Sequence, residues 1–249
     1  MISDTESGGK RGQVSNYNAL AAELRRSFSG GMSFSVNYVW SKSLDALNNG
    51  ANTPQNAHDI AAEYGPSDFN PGQTFKASGV FQLPFGAGRP YLGRDNWFNR
   101  QVIWGWQSSG IFSVQSGLPF SASASDLSQT GAYHSLRANQ TCNGNNPQNQ
   151  SFSHWFDTSC FTQPGTGQFG DERRDNLTGP RNTNLNLSLF KSFPIKEGTS
   201  LQFRTDLVDA LNHPLPENPS SNVANARTFG VISSIPGSRT IQFALKFIY

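Results

Sequence analysis

The sequence predicts an all-β protein in which about seven antiparallel strands each carry one apolar and one polar face. Three observations support this fold class: short segments alternate apolar and polar residues, their connections are alternately short and long, and the composition is poor in charge. Charged residues make up 14% of the 249 residues, against about 25% in an ordinary soluble domain. Hydrophobic residues make up only 35%, so a large apolar core does not account for the low charge.

The last ten residues show the alternation most clearly. One face of this segment carries only apolar side chains, namely Ile241, Phe243, Leu245, Phe247 and Tyr249. A period of two predicts a strand. A fully apolar strand face at the very end of a chain is rare in soluble proteins, whereas a strand between lipid and an aqueous lumen requires one. The segment therefore indicates a strand of an outer-membrane β-barrel.

Six further segments show the same alternation. They span residues 16–28, 32–41, 74–83, 103–115, 184–193 and 201–212. Two stretches, Ala19–Arg26 and Asp206–Leu211, also have good helix propensity. We predict strands for both, because each adjoins a tight turn next to a clear strand.

The connections between these segments alternate in length. Two are short turns that contain glycine, at Ser29–Gly31 and Ile195–Gly198, where positive φ is needed. The link over 84–101 is intermediate, and the remaining three are long and polar, over 45–72, 118–181 and 213–237. Short periplasmic turns and long external loops are typical of outer-membrane barrels.

Seven is an odd number of antiparallel strands, so these strands form an open sheet with two free edges. A membrane does not tolerate such edges, because each unpaired backbone group in hydrocarbon costs several kcal/mol. The one candidate for an eighth strand is Arg227–Ser233. Residues 1–9 show neither the basic start nor the apolar segment of an export signal. We therefore expect a flexible segment over 1–15, followed over 16–249 by the C-terminal part of a larger barrel, and we interpret the chain as a fragment.

A set of short motifs follows a fixed order over residues 15–249. The motifs are Tyr17–Leu20, Arg25–Phe28, Tyr38–Ser43, Leu83–Gly86, Gly105–Gln107, Gln115–Phe120, Asp175–Pro180, Asn186–Lys191, Leu201–Arg204, Leu211–Pro214, Phe229–Gly230 and Ile241–Lys246. No single motif is diagnostic, but in this order they resemble the late barrel of the TonB-dependent, Oar-like receptors.

The resemblance implies a 22-stranded transmembrane barrel with an N-terminal plug that takes up a scarce nutrient with energy passed on by TonB. This chain contains about a third of those strands and no plug, so the isolated chain is not expected to transport. The implied partners are outer-membrane lipid, the missing strands and plug, TonB through the plug, and the barrel-assembly machinery through the C-terminal strand.

The two cysteines, Cys142 and Cys160, lie in the longest predicted loop. We predict a disulfide between them, which suits an oxidising exterior. Unpaired thiols and a zinc site with the nearby His134 and His154 are the alternatives, although the spacing fits no standard zinc-ligand pattern.

Several aromatic and charged residues are further candidates. Tyr38, Trp40, Trp104 and Trp106 lie near strand ends and are predicted to form an aromatic girdle at the membrane interfaces. Loop aromatics could contact a ligand or pack the loops: Tyr64, Phe69, Tyr133, Trp155, Phe156 and Phe161.

Six charged side chains are predicted to face the lumen: Glu23, Arg25, Lys76, Arg204, Asp206 and Lys246. Glu23–Arg204 or Arg25–Asp206 are candidate pairs. The charged run Asp171–Asp175 is expected to be a solvated loop.

No feature of the sequence indicates catalysis or a cofactor, because no metalloprotease, nucleophile-elbow or P-loop pattern is present. The net charge of +2 is too small to indicate a nucleic-acid partner. No run of 18 apolar residues predicts a transmembrane helix. Besides the receptor barrel, three interpretations stay open: a small self-contained or oligomeric pore, a secreted carbohydrate-binding β-sandwich, and, least favoured, an outer-membrane enzyme.

Overall fold

The computed structural model describes residues 14–46, 54–126, 130 and 136–249. Seven long strands form one antiparallel sheet in which every strand pairs with its neighbours in the chain. The strands are β1 (Ser15–Ser29), β2 (Met32–Asp45), β3 (Gln73–Gln82), β4 (Trp106–Gln115), β5 (Asn182–Lys196), β6 (Thr199–Val208) and β7 (Thr240–Ile248). The seven predicted strands are thus confirmed, including Ala19–Arg26, whereas only the first three residues of Asp206–Leu211 belong to a strand.

Three details of the prediction are wrong. The fourth strand does not include 103–105, because a π-helix over Asn99–Ile103 precedes it and Gly105 has a φ of 80°. The sixth strand ends at Val208, because Asp209 and Asn212 adopt positive φ in a turn. Residues 227–233, the candidate eighth strand, form turns and irregular backbone instead.

The register of the strands places the apolar positions of neighbouring strands on one face. Residues directly opposite each other in antiparallel strands share a face of the sheet. One apolar row crosses six strands through Phe34, Gly79, Gly110, Leu187, Leu207 and Ile241. The adjacent row on the other face runs through Ser33, Val80, Ser109, Ser188, Asp206 and Gln242. The sheet therefore has one continuous apolar face and one largely polar face, as the alternation predicted.

The two short turns lie at one end of the sheet. Gly30 and Gly31 between β1 and β2, and Gly198 between β5 and β6, all have positive φ, which explains why glycine occupies the turns. The link over 83–105 lies at the same end. The three long connections, 46–72, 116–181 and 209–239, lie at the other end. We call their described residues the loop cap.

The loop cap contains short secondary structure only. It has 3-10 turns at Ile60–Glu63 and Thr158–Cys160. Its two-residue strands are Gly65–Pro66, which pairs with the end of β2, Pro119–Phe120 paired with Leu177–Thr178, and Asn139–Gln140 paired with Phe161–Thr162. None of the helices in the described ranges is long and apolar enough to cross a membrane.

The buried core of the molecule lies in the loop cap, not in the sheet. All buried apolar residues of the described chain belong to the long connections: Ala46, Phe120, Ala122, Ala124, Leu136, Ala138, Phe156, Cys160, Phe161, Leu177 and Ile232. By contrast, every residue of β1 and of β7 is exposed. These two strands are the edges of the sheet, and across 14–46, 54–126 and 136–249 no strand pairs with their outer sides.

Candidate functional site

Aromatic side chains mark both ends of the apolar face. Tyr38 and Trp40 lie opposite Phe75 and Gln73, at the end near the loop cap. Trp106 lies at the end near the short turns, where its carbonyl oxygen accepts from the backbone N–H of Leu83. Because Gln73 is opposite Trp40 and the next residue of β3 is opposite Gln115, the level of Trp40 corresponds to position 116 of β4. Trp106 is ten residues away along that strand, or about 33 Å. At a strand tilt of about 40° this is roughly 25 Å along the membrane normal, the height of the apolar band of outer-membrane barrels.

The two tryptophans at the end near the short turns, Trp104 and Trp106, make hydrogen bonds within the chain. The indole nitrogen of Trp106 donates to the carbonyl oxygen of Val102 at 2.8 Å. Trp104, predicted as a strand residue, lies outside β4, and its indole nitrogen donates to the carbonyl of Leu92 at 2.8 Å. Tyr38 and Trp40 are exposed, whereas Trp104 and Trp106 are half-buried. A girdle of these four residues stays a prediction.

The polar face bears the predicted charges, but not in the predicted pairs. A cavity of about 650 Å³ lies against this face, lined by serines, by apolar residues that include Val80 and Ile111, and by three arginines, Arg25, Arg26 and Arg204. Arg204 pairs with Asp206 of its own strand at 2.8 Å, and Ser188 donates to the same carboxylate. Glu23 accepts from Ser35 at 3.3 Å. The proposed Glu23–Arg204 and Arg25–Asp206 pairs are wrong, because Arg204 and Asp206 pair with each other and Glu23 bonds to Ser35 instead.

An aromatic cluster joins the second and third long connections. Phe156 is 1% exposed, and its ring lies 5.8 Å from Phe120, 5.6 Å from Phe161 and 5.1 Å from Phe229 between centroids. Edge-to-face contacts of this kind add to the free energy of burial. Phe229, from the segment suggested as an eighth strand, thus serves as a core residue of the loop cap.

The structure joins Cys142 and Cys160 by a disulfide, with 5.0 Å between the Cα atoms. Cys160 lies in the same buried cluster as Phe156. Neither thiol is therefore available to a metal, and within the described ranges no group of three or more His, Cys, Asp and Glu residues could hold one. His134, the other ligand considered for zinc, lies outside the described residues.

Two buried arginines join the first long connection to the second. Arg174 pairs with Asp45 at the end of β2 and also donates at 3.1 Å to the carbonyl oxygens of Asp45, Glu63 and Pro66. Arg137 pairs with Glu63 at 2.6 Å. These four charged side chains are each less than 10% exposed. The first joint in the loop cap is therefore ionic, whereas the second is aromatic.

The guanidinium of Arg137 also reaches the segment around Glu172. Its Nε donates to the backbone carbonyl of Glu172 at 2.9 Å. Gln55 completes the junction, because its side chain donates to Gly170 at 2.8 Å and accepts from the backbone of Arg137 at 3.1 Å. Close packing requires glycine here, since a Cβ on Gly170 would lie 2.0 Å from the carbonyl oxygen of Arg137.

The prediction of a solvated loop over Asp171–Asp175 is wrong. Glu172 is 2% exposed and Arg174 7%, while the adjacent Asp171 and Arg173 are exposed. One oxygen of Glu172 accepts from the backbone of Ala122 at 3.1 Å. The other has no hydrogen-bond partner in the described part of the chain. Burial raises the pKa of Glu172 to about 8, so this carboxyl group is protonated at neutral pH.

The predicted loop aromatics divide into two groups. Phe156 and Phe161 lie in the buried cluster, and Trp155 packs against it. Tyr64 and Phe69 are exposed, and Tyr133 lies outside the described residues. Sequence reasoning missed the buried ion pairs, although one signal was present: Asp171–Asp175 concentrates charge in a chain that is otherwise poor in it.

An open antiparallel sheet with one apolar face about 25 Å high, short turns at one end and large loops at the other defines a wall of the outer-membrane barrel type. A comparison with protein families supports this class. The model of the outer membrane beta barrel domain family matches residues 3–242. The chain therefore belongs to this family, and the protein resides in the bacterial outer membrane.

Among curated proteins and among solved structures, the searches found no match to this chain. The family membership rules out the secreted β-sandwich that the sequence left open. In outer-membrane barrels the apolar face of the sheet faces lipid, the polar face lines the lumen, and the long loops lie outside the cell, and we expect the same arrangement here.

Proposed function

We propose that this chain forms part of the wall and of the external surface of a TonB-dependent, Oar-like receptor that takes up a scarce nutrient. The observation that carries the proposal is the pair of unpaired strand edges at β1 and β7. Hydrocarbon tolerates no free edge, so we expect additional strands to complete the sheet. The ordered motifs resemble the late barrel of these receptors and support this kind of barrel as their source.

The construction of the loop cap also supports a receptor. A passive pore needs an open mouth, whereas a receptor needs an external surface with a fixed shape. In the loop cap, an aromatic cluster and two buried arginines fasten three connections to one another, and a disulfide closes a segment within the second. A surface that is ordered before the ligand arrives loses less conformational entropy on binding.

In this proposal, the other strands, the plug and the energy coupling of the receptor come from other segments and partners. Further strands would pair with β1 and β7, a plug would contact the lumen face around Arg25 and Arg204, and TonB would act on the plug. The barrel-assembly machinery would engage β7 during insertion. We assign no catalytic step to this chain.

The first test is conductance in planar bilayers. We expect that the 249-residue chain alone gives no stable channels and that the complete barrel containing it stays closed to ions. Stable, uniform conductance steps from the 249-residue chain would contradict the proposal and support the small-pore alternative.

Energy coupling is tested in cells that carry the gene. Under nutrient limitation we expect that its deletion slows growth in a strain with TonB. In a strain that already lacks TonB, the same deletion should add no further defect. An equal additional defect in both strains would show that the protein acts independently of TonB.

A further inference from the structure

A lysine interrupts the apolar face near the periplasmic end of the sheet. Lys191 of β5 lies opposite Trp106 of β4 and Phe203 of β6, and Phe203 lies opposite Leu245. The register therefore places Lys191 on the lipid-facing side. It is nevertheless only 2% exposed, so another part of the chain covers it.

The covering segment is the periplasmic link between β3 and β4. The ammonium group of Lys191 donates to the carbonyl oxygens of Gln101 at 2.5 Å and Arg100 at 3.4 Å. These carbonyls belong to the π-helix Asn99–Ile103. The same ammonium lies 5.9 Å from the ring centroid of Trp106 and 4.9 Å from that of Phe193. Lys191 thus fastens the link to the lipid-facing side of the barrel.

Three other polar groups hold the fold of the link, and one of them, Trp106, bonds it to β4. The indoles of Trp104 and Trp106 donate to the carbonyls of Leu92 and Val102. Asn99 is buried and donates from its side chain to the carbonyl of Arg94 at 2.6 Å. The link is therefore a folded structure that covers the apolar face at the end near the short turns.

The outer surface of this link is apolar and aromatic. Its large exposed side chains are Tyr91, Leu92, Trp97, Phe98 and Val102, and Trp97 is 75% exposed. The segment 89–103 also carries three arginines, Arg89, Arg94 and Arg100, against one aspartate, Asp95. Aromatic and aliphatic side chains interspersed with arginine are the composition of segments that lie at a lipid–water interface.

We propose that residues 91–102 form an interfacial anchor that inserts Trp97, Phe98 and Val102 among the phospholipid headgroups of the periplasmic leaflet. The occupant of this surface follows from continuity: the link lies on the lipid-facing side and directly extends it. The excess of arginine matches the phosphate groups of those lipids. The anchor does not depend on the proposed function, since a receptor and a pore would both use it.

The test places an environment-sensitive fluorophore at Trp97→Cys in the complete barrel that contains this chain. The barrel is reconstituted in vesicles of phosphatidylethanolamine and phosphatidylglycerol. Cys142 and Cys160 are joined to each other, so within this chain the label reacts only with the new thiol. The matched control is Glu197→Cys, which lies in the exposed β5–β6 turn at the same end of the sheet. Val102→Cys gives an independent second reading.

We expect the labels at 97 and 102 to be quenched by lipids with a spin label just below the headgroup. Relative to the label at 197, iodide in the aqueous phase should quench them about threefold less, as expected for side chains buried several ångströms into the interface. Equal iodide quenching at all three positions would overturn the anchor, because the link would then lie in water. Protection from both quenchers would also overturn it and would indicate a protein partner on this surface.

Discussion

The sheet and the loop cap gain stability from opposite arrangements of the same kinds of residue. In the sheet, large apolar side chains point outward: Phe243 is 68% exposed and Leu20 62%. In the loop cap, Phe156 and Leu136 are each 1% exposed, and even charged residues are buried. The sheet therefore depends on lipid to cover its apolar face, whereas the loop cap has a core of its own, like a small soluble domain.

This difference implies that the two regions can be disturbed separately. Changes on the apolar face act through insertion in the membrane, and changes in the loop cap act through local packing outside it. Native proteins do open locally with free energies below the global value. Each of the following predictions therefore pairs a readout of the barrel with a readout of the cap.

The largest effect is expected from Arg174→Ala. This change removes the ion pair with Asp45 and three bonds to carbonyl oxygens. It leaves the Asp45 carboxylate buried without its partner, which costs about 3–5 kcal/mol. Amide hydrogen exchange should show loss of protection in residues 54–72 and 136–181, with unchanged protection in β3 and β4.

The control for this variant is the neighbouring Arg173→Ala, because Arg173 is exposed and its loss should leave protection within about 0.5 kcal/mol. Equal loss of protection in both variants would show that the ionic joint does not hold the cap. Loss of protection in the sheet as well would show that the two regions are one cooperative unit.

On the sheet, Ile241→Arg tests the apolar face. Ile241 lies opposite Leu207, in the apolar row that crosses six strands. Arginine in the lipid-facing band costs up to about 2–4 kcal/mol, depending on its depth in the membrane. The adjacent Gln242→Arg places the same charge on the lumen face and should cost much less. Refolding yields of the complete barrel in vesicles, measured across a urea series, compare the two variants.

An equal loss of stability for Ile241→Arg and Gln242→Arg would contradict the assignment of faces. In both variants the protection of the loop cap should persist once the barrel has inserted, because its core contains no residue of β7.

Reduction of the disulfide should weaken the loop cap by about 3 kcal/mol on the loop-entropy model. The Cys142–Cys160 bond closes an interval of 18 residues within the cap. Limited proteolysis on whole cells, with and without a reductant, should show new cleavage between residues 136 and 181. A Cys142→Ser/Cys160→Ser variant should match the reduced protein and should not respond to the reductant. Unchanged cleavage in all cases would show that the bond contributes no stability.

The smallest effect is a pH dependence of the loop cap that originates at Glu172. Its pKa is raised by burial from the ordinary value of 4.5 to about 8, so the folded cap binds a proton that the unfolded cap releases. Stability is therefore complete below about pH 4.5 and falls as the pH rises towards 8, by about 1.4 kcal/mol per pH unit. Hydrogen exchange at pH 6 and pH 8, corrected for intrinsic rates, should show this decline.

The matched variant is Glu172→Gln, which keeps the acceptor for Ala122 but cannot ionise. Its protection should change little between pH 6 and pH 8. If protection declined by the same amount in this variant, the pH dependence would belong to other groups. Asp175 would be the first candidate, since burial also raises its pKa.

Sequence reasoning predicted the sheet well because each strand carries its own period. The faces of β2, β3 and β7 follow from alternation alone, and the turns follow from Gly30, Gly31 and Gly198. The boundary errors arose where local backbone conformation overrides the pattern, as at Gly105 and Asp209. Neither position disturbs the alternation of apolar residues around it.

The loop cap was far less predictable, because its contacts join residues that are distant in the sequence. Arg174 and Asp45 are 129 residues apart, and Phe156 meets Phe229 from another connection. No periodicity marks such pairs. The anchor was missed for a related reason: Lys191 looks like a solvent-facing lysine in the sequence, and the link that covers it has no regular pattern.

The most direct test of the central claim is to refold the 249-residue chain into detergent and compare unheated with boiled samples on a denaturing gel. Closed barrels resist the detergent of the gel until they are boiled and therefore migrate differently. Because β1 and β7 are unpaired edges, we expect no heat-dependent shift from this chain alone. A clear shift would show that these residues close by themselves or by self-association, and it would contradict the view of the chain as one wall of a larger barrel.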